Sequence, residues 1–113
     1  MSLKSTKKEV GDVTVLQLEG TIVLGEESNV LRFKIKELLT ENKKKVVLNM
    51  SNVMYVDSAG QGTLVASFHS ANAQGCKVVL CSMKGLDIIV EQKLVTTFEV
   101  YDNEEKAVGS FSK

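Results

Sequence analysis

The chain has 113 residues, with 14 Lys and Arg balanced by 14 Asp and Glu, 43% hydrophobic and 5% aromatic residues, one His, two Cys and no Pro or Trp. That length suits one domain over residues 1–113, large enough to bury about two-thirds of its unfolded surface without a metal or disulfide staple. Zero net charge argues against a nucleic-acid binder, which normally carries a basic excess on one face, and the Lys43–Lys45 run is too short to alter that.

No apolar stretch approaches the roughly 20 residues of a membrane span, and Met1–Glu9 lacks the apolar core of a signal peptide, so no membrane insertion is expected and the expected compartment is the cytoplasm. Glycines at 11, 20, 25, 60, 62, 75, 85 and 109 are the main punctuation. Lys7–Val10 and the β-branched run Val13–Glu19, joined by Gly11-Asp12 and closed by Gly20, read as a hairpin. From Glu26 to Asn42, Leu31, Ile35, Leu38 and Leu39 recur at helical spacing, with Glu26 and Glu27 in the first turn, where the positive end of the helix dipole favours them.

Lys45–Met50 and Lys77–Cys81 each hold a continuous apolar run, Val46-Val47-Leu48 and Val78-Val79-Leu80, as expected of strands buried on both faces. Between them Ser58–Gln74 reads as a second helix, with Leu64, Val65, Phe68 and Ala71 on one side and Gly75 placed to end it. Leu86, Ile89, Val90 and Leu94 indicate a third helix, and Phe98–Tyr101 a further strand. Asp102 and Glu105 form an Asp-x-x-Glu cap ahead of a short closing helix. Strands joined by helical crossovers run parallel, so the expected architecture is α/β: a mixed sheet of four to five strands, parallel at its centre and extended by the hairpin, with about four helices. Cys76 and Cys81 would lie about 16 Å apart on opposite faces of their strand, which predicts two free, buried thiols.

The polar cluster Tyr55-Val56-Asp57-Ser58-Ala59-Gly60-Gln61-Gly62-Thr63 falls between a strand's carboxyl side and the second helix, the edge of an α/β sheet where sites usually lie. A nucleophile elbow would need Gly two before the Ser, where this chain has Val56. His69, the only histidine, lies eleven residues along the same predicted helix, about 16 Å from Ser58 along the axis, too far to act as its base. One His and two separated thiols supply no metal ligand set, and Gly60-Gln61-Gly62 matches neither common phosphate-cradling motif. No cofactor is therefore expected and no enzyme. Asp57 suits a helix N-cap, with Ser58 at the first helical position. Gly60 and Gly62 each cost on the order of 1 kcal/mol relative to Ala in a helix, so close approach of another backbone, internal or from a partner, is expected there.

The run Lys45-Val-Val-Leu-Asn-Met-Ser-Asn-Val-Met-Tyr-Val-Asp-Ser-Ala-Gly-Gln-Gly, followed by the helix, Gly75 and Lys77-Val-Val-Leu, resembles a STAS domain of the anti-sigma factor antagonist type, and the likeness extends over nearly the whole chain, with an ordered core of about residues 5–112. In that family an Asp-Ser-[Ser/Ala]-Gly motif opens the second helix, and its serine is phosphorylated by a partner that is both kinase and anti-sigma factor. The resemblance implies that Ser58 is the acceptor, that Asp57 matches the aspartate, and that Ala59, Gly60 and Gly62 are the small residues behind it. Two departures stand out: Gln61 where an aliphatic residue is common, and Thr21-Ile22-Val23 where antagonists often place an acidic residue on the partner surface.

The expected partner surface comprises Tyr55, Asp57, Ala59, Gly60, Gln61, Gly62 and Thr21, with Met54 and the Gly20–Gly25 loop as further contact area. The implied function is a phosphorylation-controlled anti-sigma factor antagonist that binds an anti-sigma factor/serine protein kinase while Ser58 is unmodified. The alternative is a non-switching STAS subunit of a stress-signalling scaffold or lipid-transport complex. The expected oligomeric state is a monomer or weak dimer.

Overall fold

The computed structural model describes residues 3–83 and 88–112. The backbone runs β1 (Leu3–Val10), β2 (Val13–Ile22), α1 (Glu26–Thr40), β3 (Lys45–Val56), α2 (Ser58–Ala73), β4 (Lys77–Cys81), α3 (Ile88–Thr97), β5 (Val100–Tyr101) and α4 (Glu104–Gly109), and ends in a 3₁₀ turn over Ser110–Ser112. The strands lie in chain order in one five-stranded sheet; β1 pairs antiparallel with β2, and every later pairing is parallel. This is the mixed α/β sheet expected, with β2 also joining the parallel set. The Gly11-Asp12 turn permits the antiparallel pair because Gly11 takes a positive φ of 62°.

Alternation along the central strands divides the core in two. Val46 and Leu48 of β3, with Val78 and Leu80 of β4, bury against Leu31, Ile35 and Leu38 of α1, Leu64 and Ala71 of α2 and Leu94 of α3. Val47 and Val79 point the other way and join Val13, Val15, Cys81 and Ala107 in a smaller cluster closed by Val108 and Phe111. A strand buried on both faces needs apolar residues at consecutive positions, which is why these runs do not alternate with polar ones. Cys76 and Cys81 fall in different clusters, both free, and burial pushes both thiols above their ordinary pKa.

Several boundaries differ from the sequence expectation. Gly20 does not close β2, which continues to Ile22, because a φ of 116° at Gly20 lets the strand bend and keep pairing. β3 runs to Val56 rather than Met50 and carries an extra residue at two places: the residues paired with Gln17 and Glu19 are Asn49 and Asn52, and those paired with Gly20 and Thr21 are Val53 and Tyr55. At the first bulge the Ser51 amide donates to Asn49 Oδ1 at 2.9 Å.

Helix α1 stops at Thr40 because Asn42 takes a left-handed φ of 62°, and the Lys43 and Asn42 amides close back onto the Leu38 and Leu39 carbonyls. Gly75 ends α2 the same way, with the Cys76 and Gly75 amides on the Ala71 and Asn72 carbonyls.

The strand expected over Phe98–Tyr101 shrinks to Val100–Tyr101. Phe98 instead follows directly on α3, its amide donating to the Leu94 carbonyl at 2.8 Å and its ring meeting Phe68 edge-on at 4.9 Å. The third helix is present, while Leu86 and the side chains of Ile89 and Val90 lie outside what the structure describes, as does that of Glu27.

The cap of α4 is Asn103, not Asp102. Asn103 has the extended backbone a cap requires, and its Oδ1 accepts from the Lys106 amide at 2.9 Å, leaving Asp102 3.5 Å from Lys106 Nζ. The Lys43–Lys45 run is used within the fold: Lys43 pairs with Glu9, Lys45 with Asp12, and Lys44 donates to the Gln74 carbonyl.

Candidate functional site

The carboxyl ends of β2 and β3 and the start of α2 meet at the carbonyl of Ile22. That oxygen accepts from the Asp57 amide at 3.2 Å, which carries the pairing of β2 with β3 into the helix cap. The first turn of α2 then passes so close that a Cβ on Gly60 would lie 1.9 Å from the same oxygen. The close approach expected at Gly60 is therefore internal. Gly62 is different: a Cβ there would meet nothing within 4 Å, so no neighbour within the fold requires glycine.

Asp57 caps α2 and does more. Its Oδ1 accepts from the Gly60 amide at 2.7 Å and its Oδ2 from the Leu24 amide at 3.1 Å, across to the loop leading into α1. These two backbone donors, Gly60 first, hold the carboxyl below its ordinary pKa. That loop is also pinned by Ser28, whose hydroxyl donates to the Val23 carbonyl at 2.6 Å.

Ser58 stands at the first helical position with its side chain exposed, and its hydroxyl forms no hydrogen bond among the described residues. Met54 (69% exposed) and Tyr55 (53%) both emerge from the end of β3 that leads into α2. Consecutive strand residues would normally face opposite ways, and the second β3 bulge, between the residues that pair with Gly20 and Thr21, coincides with the change. Leu24, at 76% exposure the most exposed large apolar side chain described, belongs to the loop that Asp57 holds. Leu24 falls within the expected Gly20–Gly25 contact loop, and its sequence signal is an apolar residue immediately before the glycine that opens α1.

The remaining expected residues divide by burial. Ala59 and Gln61 are half-buried, and the Ala59 carbonyl accepts from the Thr63 hydroxyl at 3.0 Å. Gly62 is exposed and Gly60 buried. Thr21 corrects the expectation of a partner-facing side chain: it is 1% exposed, paired with Tyr55 in the sheet, and its hydroxyl has no hydrogen-bond partner among the described residues. It turns inward because Gly20 and the β3 bulge set the pleat there.

His69 is exposed further along α2, its ring edge-on to Phe68 at 5.4 Å. No group of three or more His, Cys, Asp or Glu that could hold a metal occurs among the described residues, and no described helix is long and apolar enough to cross a membrane. What the geometry offers is an exposed primary hydroxyl at the positive end of a sixteen-residue helix, where an added anionic group would be accommodated by the helix dipole.

Residues 4–107 match the family model for the STAS domain. The chain belongs to the STAS domain family. Solved structures similar to this STAS chain include TM1081 of Thermotoga maritima, a candidate anti-sigma factor antagonist, at 21% identity and a TM-score of 0.84 over 96% of this chain and 95% of that one. An anti-sigma factor antagonist from Mycobacterium paratuberculosis matches at 19% identity and a TM-score of 0.76 over 99% and 96%. The anti-sigma factor antagonist SpoIIAA in its unphosphorylated form matches at 14% identity and 0.74 over 96% and 97%. At these identities the likeness is one of fold, and the five-stranded mixed sheet with four helices is the STAS fold seen in SpoIIAA.

Proposed function

We propose that this STAS domain is a phosphorylation-controlled protein switch, an anti-sigma factor antagonist acting in the cytoplasm. Unmodified, it binds an anti-sigma factor that is also a serine kinase and so frees a sigma factor; phosphorylated on Ser58, it lets go. The observation that carries this reading is the placement of Ser58: exposed, at the start of α2, and on the same sheet edge as the exposed apolar side chains of Leu24, Met54 and Tyr55. Support also comes from SpoIIAA, a similar fold solved in both unphosphorylated and phosphorylated forms.

Phosphate on Ser58 adds about −1.5 to −2 charges beside the Asp57 carboxylate. At the free helix N-terminus this is tolerated, but in a docked interface it faces desolvation and like-charge repulsion, and a loss of about 2.7 kcal/mol already weakens binding a hundredfold. The contact surface in this reading comprises Leu24, Met54, Tyr55, Asp57, Ser58, Ala59, Gln61 and Gly62, with Gly60 and Thr21 shaping it from beneath.

The test is capture of the cognate anti-sigma factor by wild type, Ser58→Ala and Ser58→Asp, with phosphosite mapping of the native protein. Strong capture by Ser58→Ala, weak capture by Ser58→Asp and a phosphate on Ser58 that varies with conditions are expected. Equal capture by both variants would exclude the switch. A Ser58 that stays unmodified under every condition would favour a non-switching subunit of a signalling or lipid-transport assembly.

A further inference from the structure

A groove of about 420 Å³ lies between α1 and α2, away from the Ser58 end of the sheet edge, lined by Arg32, Ile35, Lys36, Leu39 and Thr40 on one side and Ala66, Ser67, Ser70 and Gln74 on the other. The α2 contributors follow Ser58 by eight to sixteen residues, which places them about 12 to 24 Å further along the helix. The volume is that of a small-molecule site rather than of a packing defect.

The charges of the lining are unbalanced. Seven lysines elsewhere form ion pairs with Asp or Glu, whereas Arg32 and Lys36 form none among the described residues, and no carboxylate lines the groove. They sit four residues apart on one helix face, an arrangement in which like charges repel and destabilise the helix unless something relieves them. Opposite them Ser67, only 8% exposed, and Ser70 line the groove with hydroxyl-bearing side chains. Ile35, Leu39 and Ala66 supply an apolar portion beside these polar groups.

We propose that this groove binds a small phosphate monoester with an apolar body. The phosphate would sit between the Arg32 guanidinium, whose fork suits two phosphate oxygens, and the Lys36 ammonium, and would accept from the Ser67 or Ser70 hydroxyl, while the body covers Ile35, Leu39 and Ala66. This site is independent of the switch proposed at Ser58 and uses none of its residues.

The test is titration of the isotope-labelled protein with phenyl phosphate, followed by backbone amide shifts. Saturable changes confined to residues 32–40 and 66–74 are expected, with at least tenfold weaker binding in the double variant Arg32→Gln/Lys36→Gln and unchanged binding in Lys4→Gln, an exposed lysine on β1. Both groove substitutions are at exposed positions, and an unchanged spectrum elsewhere confirms the fold. Benzyl alcohol should bind at least tenfold more weakly because it lacks the charge, and inorganic phosphate because it lacks the apolar body. Non-saturating shifts, equal binding by the double variant, equal binding by either partial probe, or changes centred on residues 57–62 would each overturn the assignment.

Discussion

Gly60→Ala and Gly62→Ala place the same methyl group two residues apart on the same helix, and the structure predicts opposite signs. At Gly60 the new Cβ would lie 1.9 Å from the Ile22 carbonyl oxygen and 2.6 Å from its carbon, where real contacts essentially never fall below 3.0 Å. The helix start must therefore retreat by about 1.1 Å from backbone that cannot rotate away. Overpacking of this kind costs about 1–3 kcal/mol, and the rigidity of the obstacle argues for the upper end. Displacing the helix also stretches the hydrogen bond from the Asp57 amide to Ile22, for about 1 kcal/mol more, while helix propensity returns about 1 kcal/mol. The net loss is about 2–3 kcal/mol, or roughly 8–12 °C in melting temperature for a domain of this size.

At Gly62 the methyl meets open space, so only the propensity gain of about 0.5–1 kcal/mol remains, raising the melting temperature by roughly 2–4 °C. Urea titration and thermal melts of the two variants measure both. A neutral or stabilising Gly60→Ala would refute the reasoning that Ile22 and α2 are in obligatory contact.

Asp57→Ala removes the acceptor for both the Gly60 and the Leu24 amide, so hydrogen exchange at Leu24 should accelerate along with that at the start of α2; acceleration confined to the helix would mean that the loop is held by other contacts. The α4 anchor should be pH-sensitive. Burial alone would raise the Glu104 pKa, but hydrogen bonds from Lys8 and Asn49, the charge of Lys8 and a further bond from Gln17 together hold it below the ordinary 4.5. A depressed folded pKa contributes stability that is present above 4.5 and is lost as pH falls through the lower folded value. Glu104→Gln should accordingly be less stable than wild type at pH 7, with the gap narrowing in urea titrations below about pH 4.5; a constant gap would assign the effect to packing. Met54→Ala and Tyr55→Ala should leave the melting temperature within about 2 °C, since both side chains are exposed, yet weaken capture of the anti-sigma factor.

The sheet was legible because its central strands announce themselves: three consecutive apolar residues at Val46 and again at Val78 have no place except between two covered faces. Asp57 as a cap and the need for close approach at Gly60 were legible too, since each follows from the residue's own chemistry. The second half of β3 was not. Met50–Val56 mixes polar and apolar residues because two bulges break the alternation, and a bulge is defined by the register of the neighbouring strand, which no local pattern carries. The same cause hid the orientation of Thr21, for Gly20 reads as a strand terminator until its positive φ is seen to let the strand pass through. The cap of α4 slipped by one residue because Asp102 and Asn103 are both good caps, and only the start of the helix at Glu104, fixed by its reach to Asn49 and Lys8, decides between them.

The division of labour between Asp57 and Ser58 bears directly on how such a site could switch. Had the serine hydroxyl capped α2, its modification would have removed an acceptor from the helix amides, and the modified domain would have lost stability along with affinity. Here the cap, the tie to Leu24 and the join to β2 are all made by Asp57 and the Ile22 carbonyl, and the exposed Ser58 hydroxyl contributes no hydrogen bond to any of them. A phosphate on that oxygen therefore alters the charge of the surface while leaving the supporting contacts in place. Gly60 makes this separation possible: by letting α2 pass against Ile22, it fixes the helix start through backbone contacts and leaves the serine beside them free to face a partner.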